Sequence, residues 1–217
     1  MKRILAIAIT LASMTAVQAQ YIRFNVHVDP QFSWFNSDVN SVNPDGSVFH
    51  LQAGLHADYF FAENYAFTFG MSINNMGGNL FYTDSTEFSS KGEILLVEPD
   101  QSAKLNLQYV DIPIGLKLKT EELGYTTLFL QLGFNPMILL NAKGSSEDAS
   151  FNKEDIRESI NLFGLGYHAG MGVEYALGGS TALIGGLRWS AGLTDVTDND
   201  RANVKPNAIT IHLGILF

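Results

Sequence analysis

Eight stretches of this chain alternate between large apolar and small polar residues with a period of two, and that rhythm limits the folds open to it more than any single motif does. In residues 49–61, Phe49, Leu51, Ala53, Leu55, Ala57, Tyr59 and Phe61 share one face. His50, Gln52, Gly54, His56 and Asp58 share the other, with Phe60 as the exception. A helix, with its 3.6-residue period, would scatter both sets around its surface. The same division recurs in residues 22–34, 65–73, 110–118, 128–135, 163–175, 181–193 and 208–217. Just upstream of the fourth stretch, Leu105, Leu107 and Tyr109 are in the opposite phase, which predicts a β-bulge near Tyr109 and Val110.

The gaps between the stretches alternate in length. Those at residues 62–64, 121–124 and 178–179 are tight. Those at 36–47, 74–104, 141–161 and 194–206 are long. Each connection suits a hairpin, so the pattern predicts an antiparallel meander with all long connections at one end. The expected fold class is all-β, an eight-stranded up-and-down barrel.

Two closed barrels fit eight alternating strands. A soluble one places its apolar face inside; a transmembrane one places it outside, toward lipid. The polar face here is mostly Gly, Ser, Thr, Asn, Gln and His, which suits a crowded narrow lumen better than a water-exposed surface rich in mixed charge. The apolar face is nearly free of charge over nine or more residues, about what a tilted strand needs to cross a bilayer. Trp34, Phe49, Tyr59, Phe61, Tyr65, Phe134, Tyr175 and Phe217 lie near strand ends, as interfacial aromatic girdles do. The transmembrane reading follows, with Leu55, Phe67, Ile114, Leu130, Tyr167, Leu187 and Leu213 in the lipid-facing band.

The amino terminus reads as a secretory leader. Lys2 and Arg3 precede the mostly apolar residues 4–12, and Val17 and Ala19 occupy the −3 and −1 positions of a cleavage site. The expected division is a signal peptide at 1–19 and an outer-membrane barrel domain at 20–217. Losing Lys2 and Arg3 leaves 11 basic residues against 22 acidic ones, which excludes the basic footprint of a nucleic-acid binder. The chain has no Cys, so disulfides, thiolate metal sites, cysteine nucleophiles and lipid attachment at an N-terminal Cys are excluded.

The expected lumen carries the chain's reactive side chains. Arg23, Asp58, Asp111, Lys117, Glu174 and Arg188 point inward and should form a locked polar network, because an isolated buried charge is costly. Glu174 and Arg188, on adjacent strands of one tight hairpin, are the expected ion pair. All five histidines (His27, His50, His56, His168 and His212) fall on the inward face. His27, His56 and His212 lie at similar depth on the first, second and eighth strands, which become neighbours on closure. They read first as a hydrogen-bonded plug; a transition-metal site completed by Asp29 or Asp58 is the alternative. No cofactor is expected. Ser190 with His168 has no acid assigned to it and carries no specific signature of a hydrolase, so the chain is read as a non-enzyme. The long loops are acidic, and the string from Asp195 to Asp200 hints at Ca²⁺ but lacks the Gly and terminal Glu of a 12-residue calcium loop. Residues 152–161 are expected to include a short helical turn.

The run Gln108-Tyr109-Val110-Asp111-Ile112-Pro113-Ile114-Gly115-Leu116-Lys117 resembles the Tyr-Leu-Glu-Ile-Pro strand of the PorT-like outer-membrane beta-barrel family of Bacteroidetes. Residues 170–175 resemble that family's Gly-x-Gly-x-Glu-Tyr segment, and residues 187–195 its Arg-Tyr-x-x-Gly-Leu segment. Val110, Asp111 and Trp189 stand where the family has Leu, Glu and Tyr. The resemblance implies a small outer-membrane barrel of unassigned role. The alternating pattern itself is read as a barrel with a plugged polar lumen that contacts outer-membrane lipid and glycolipid and acts as a structural, surface-interaction protein through its long external loops. Its terminal aromatic strand, ending on Phe217, resembles the signal read by the barrel assembly machinery. A role as an accessory of type IX secretion or another envelope complex, and a role as a lipid-modifying enzyme, are the alternatives.

Overall fold

The computed structural model describes residues 21–90, 92–148, 150–198 and 202–217; the leader expected at residues 1–19, with Gln20, lies outside the described residues. Among the described residues twelve strands follow in chain order: β1 (Tyr21–Ser37), β2 (Val42–Ala62), β3 (Tyr65–Tyr82), β4 (Thr86–Ser90), β5 (Glu93–Val97), β6 (Gln101–Asp111), β7 (Ile114–Lys119), β8 (Thr126–Ser146), β9 (Asn152–Asp155), β10 (Phe163–Gly178), β11 (Thr181–Gly192) and β12 (Val204–Leu216). A 3₁₀ turn covers Arg157–Ser159. The helical turn expected in this loop is therefore one short turn preceded by a strand.

Among the described residues, eight antiparallel staves close into a barrel. β1 pairs with both β2 and β12, β2 with β3, β8 with β10, β10 with β11, and β11 with β12. The remaining stave, between β3 and β8, is made of β6 followed by β7. Ile112 and Pro113 interrupt it, because Pro has no N–H to donate. The ladder survives the break: Ile112 N–H donates to the Pro136 carbonyl at 2.9 Å, and the Pro113 carbonyl accepts from Gly70 at 3.1 Å. Closure leaves no stave with an unpaired edge, which is the condition for a sheet to sit in hydrocarbon.

Over the half of the barrel nearest the tight turns, apolar side chains face outward and polar ones inward. Leu55 is 59% exposed and Ile114 53%, whereas His27 is 1% exposed and Asp29 fully buried. Nearer the long loops the pattern inverts. Asn75, Gln108 and Asn141 form an outward cross-strand row, with Gln108 donating to Asn75 at 2.9 Å and Asn75 to the Leu51 carbonyl at 2.9 Å. At this level and above it the interior becomes an apolar core around Phe35, Leu80, Leu105, Leu107, Met137 and Val204.

This inversion corrects two expectations. The long gaps are shorter than predicted, because β1, β2, β3, β6, β8 and β12 all run beyond the apolar band and pack side chains such as Phe35, Val42 and Leu105 between them. The bulge expected near Tyr109 and Val110 is absent from β6. Leu105, Leu107, Tyr109 and Asp111 are buried in one unbroken phase, and the register slip falls on the partner β8, between Leu139 and Asn141. The opposite phase marks a change of interior, from polar to apolar, along a continuous strand.

Candidate functional site

The polar lumen is built in tiers. The first lies by the tight turns and rests on an apolar floor of Phe129, Ala182, Ile184 and Leu216, with Phe60 stacked on Tyr21 at 4.4 Å. Lys117 sits between two carboxylates, 2.6 Å from Asp58 Oδ2 and 2.7 Å from Glu174 Oε1. Arg23 and Lys119 each reach Glu174 Oε2 at 2.9 Å, and Thr68 donates to Asp58 at 2.8 Å. The stems of Lys117 and Lys119 bring their ammonium groups 4.8 and 5.1 Å from the ring centres of Phe129 and Phe60. Lys119 was missed from sequence, although it lies two residues beyond Lys117 and so on the same face.

Glu174 does not pair with Arg188, contrary to expectation. Glu174 is opposite Ile184, and Arg188 is opposite Gly170, four residues further along β10. That separation is about 13 Å of strand, too far for an ion pair. Arg188 belongs to the second tier.

The second tier gathers His27, His56 and His212 with Asp29, Asn25 and Arg188. Ring centres are 4.3 Å apart for His27 and His56, 5.1 Å for His27 and His212, and 5.9 Å for His56 and His212. Asp29 Oδ2 lies 2.9 Å from Nδ1 of both His27 and His212, and Arg188 Nη1 is 3.8 Å from the same oxygen. Residues 27 and 29 share a face of β1, and closure onto β12 delivers His212. Gly70 makes room for the second ring, since a Cβ there would come within 2.3 Å of His56. Asp58, the other acid considered beside these histidines, is held in the first tier.

In the third tier Asp111 accepts from Asn135 at 2.9 and 3.0 Å and from Gln52 at 3.2 Å. Asn135 Oδ1 lies 2.5 Å from His168 Nδ1. Gln31 donates to Asn74 at 2.7 Å and accepts from Thr210 at 3.2 Å. Ser190 is opposite His168 in register, but among the described residues His168 Nε2 has no hydrogen-bond partner, so the nucleophile–base contact of a hydrolase is not formed. A cavity of about 20 Å³ beside Asp111 and Arg188 has room for about one water. His50, partly exposed, stands apart on Ser33 and Asn106 at 3.0 and 3.2 Å.

At the loop end, Asp195 Oδ1 accepts from the backbone of Thr197, the Thr197 hydroxyl and the backbone of Val204, each at 2.9 Å. This carboxylate ties the last loop to the start of β12. Asp200, at the other end of the string that hinted at calcium, lies outside the described residues.

A closed sheet with an apolar exterior band and a polar, filled interior defines a transmembrane β-barrel. The model for the outer membrane protein beta-barrel domain matches residues 14–198, and the chain belongs to that family. The protein resides in the outer membrane, where barrels of this kind keep short turns on the periplasmic side and long loops outside. No curated protein sequence matches it. Among solved structures it is similar to Neisserial surface protein A, at 15% identity over 89% of this chain and 95% of that one, with a TM-score of 0.47. It is also similar to OprG from Pseudomonas aeruginosa, at 12% identity over 91% and 95%, with a TM-score of 0.49. The attachment invasion locus protein of Yersinia pestis is similar at 13% identity over 92% and 100%, with a TM-score of 0.45.

Proposed function

We propose that this protein is a non-catalytic surface-interaction barrel of the PorT-like type, which presents its external loops as one rigid contact platform. The observation that carries this reading is the apolar core beyond the membrane band. Residues from β1, β2, β3, β6, β8 and β12 converge there with Phe88 and Val97 of the β4–β5 hairpin and with Phe151, Ile156, Ile160 and Val196 of the loops. Polar ties reinforce it: Ser159 Oγ accepts from the backbone of Ser89 at 2.8 Å, and Asp38 from that of Asn203 at 2.8 Å. Loops held this way contact a partner without first losing conformational entropy, the main cost for a flexible surface. The filled lumen argues against transport, and the unmade Ser190–His168 contact argues against hydrolysis.

Site-specific photocrosslinkers in native envelopes test the reading. A probe at Ile94 on the β4–β5 hairpin is expected to give a discrete protein adduct, and a probe at Leu123 in a tight turn to give none. Adducts confined to Leu123 would overturn it in favour of a periplasmic-side role in a secretion or other envelope complex. Altered glycolipid masses in a deletion strain, restored by the wild-type gene and abolished again by Ser190→Ala, would overturn it in favour of an enzyme.

A further inference from the structure

We propose that His27, Asp29 and His212, with His56 beside them, form a buried site for one divalent transition-metal ion. The donor atoms of His27, Asp29 and His212 all lie within 4.8 Å of one another, and all three residues are buried. Two imidazoles and one carboxylate are a donor set that suits zinc, copper, iron and nickel.

Two observations separate this tier from a simple hydrogen-bonded plug. Among the described residues, Nε2 of His27 and Nε2 of His56 are buried without a hydrogen-bond partner, and His27 Nδ1, 2.9 Å from Asp29 Oδ2, is not aligned for a hydrogen bond to it. Buried polar atoms in folded proteins are nearly always satisfied, so these nitrogens call for a ligand that the chain itself does not supply. His212 Nδ1 meets both Arg188 Nη2 at 3.2 Å and Asp29 at 2.9 Å. A guanidinium needs the ring's lone pair and a carboxylate needs its N–H, so one nitrogen cannot serve both. A metal ion resolves the conflict by taking the lone pair and the carboxylate together.

The surroundings are those of supported ligands. The Asn25 carboxamide lies 3.1 Å from His212 Nε2, and with its Oδ1 turned to that position it accepts the Nε2–H of a ring whose Nδ1 holds the ion. Leu213 N–H donates to Asp29 Oδ1 at 3.1 Å, and Oδ2 faces both His27 and His212. Arg188 and Asp111 line the same small cavity.

The tier is enclosed between the charged first tier and the polar third tier, and its residues are buried, so the ion enters as the barrel closes, and metal binding is coupled to folding. The test is to refold the full barrel domain from urea into detergent with Zn²⁺ or Co²⁺, remove free ion by gel filtration and measure metal per chain. About one equivalent is expected, with a thermal midpoint above that of protein refolded in chelator. His27→Ala and His212→Ala should each weaken binding about tenfold or more, and His50→Ala, outside the tier, should retain the ion. Wild-type protein that carries no metal and melts identically with metal and with chelator overturns the proposal. So does full retention by the His27→Ala/His212→Ala double variant. If the variants fail to refold, the wild-type metal content and midpoint decide alone.

Discussion

At the scale of single residues the lumen is governed by parity and depth, and a sequence carries the first fully and the second in part: counting from the strand ends put His27, His56 and His212 at one level, where they meet. Arg23, Asp58, Lys117, Glu174 and Arg188 were legible as inward residues because each sits on the polar face of an alternating strand. Their partners were not legible, because tilt and stagger decide which inward residues share a level. Arg188 therefore joined Asp29 rather than Glu174. Lys117 is the residue on which the first tier turns, since it is 97% buried and bridges two carboxylates. Removing one partner of a buried pair leaves the other charge desolvated and alone. Lys117→Met is expected to cost about 3–5 kcal/mol, read as a lower urea midpoint for the barrel in lipid vesicles. An unchanged midpoint would show that Arg23 and Lys119 alone neutralise both acids.

At the scale of elements, the strands were legible where they face lipid and misjudged where they leave it. Asn74 and the residues after it looked like loop because the apolar face ended at Ile73. In fact the alternation continues in β3 with its sides exchanged, through buried Met76, Leu80 and Tyr82. Two predictions belong here. Leu105→Asp places an unpaired carboxylate in the apolar core and should render the loops sensitive to protease while the membrane band stays folded; digestion followed by mass mapping would show it. Intact loops would mean that the core is not what orders them. The second concerns pH. Burial pushes the Tyr82 phenol above its ordinary range. The raised value means that the unfolded loop ionises first, so the stabilising contribution is complete below about pH 10 and is lost as pH rises above it. Protease sensitivity of the loops should therefore appear in alkaline buffer and be suppressed in Tyr82→Phe. Equal alkaline sensitivity in the two proteins would assign it to another group.

At the scale of the whole molecule, one sequence builds two solvents' worth of structure, and the change from lipid to water is where the faces swap. Within the membrane band, β2 runs from Phe61 at the turn end to Phe49 at the loop end, with Leu55 midway between them on the lipid face. The cost of an outward charge in such a barrel depends on depth, because a midplane side chain cannot reach water and an interfacial one can. Leu55→Arg is expected to cost about 2–4 kcal/mol in lipid vesicles, and Phe61→Arg at most about 1 kcal/mol. The comparison is made within one strand and one face, so strand propensity and register are held nearly constant. Equal costs at the two positions would mean that the apolar band does not sit centred on Leu55. A Leu55→Arg protein that folds stably in water without lipid or detergent would mean that the outward face never needed a membrane. The inward face would then have to be explained without the penalty that forces closure of the first strand onto the last.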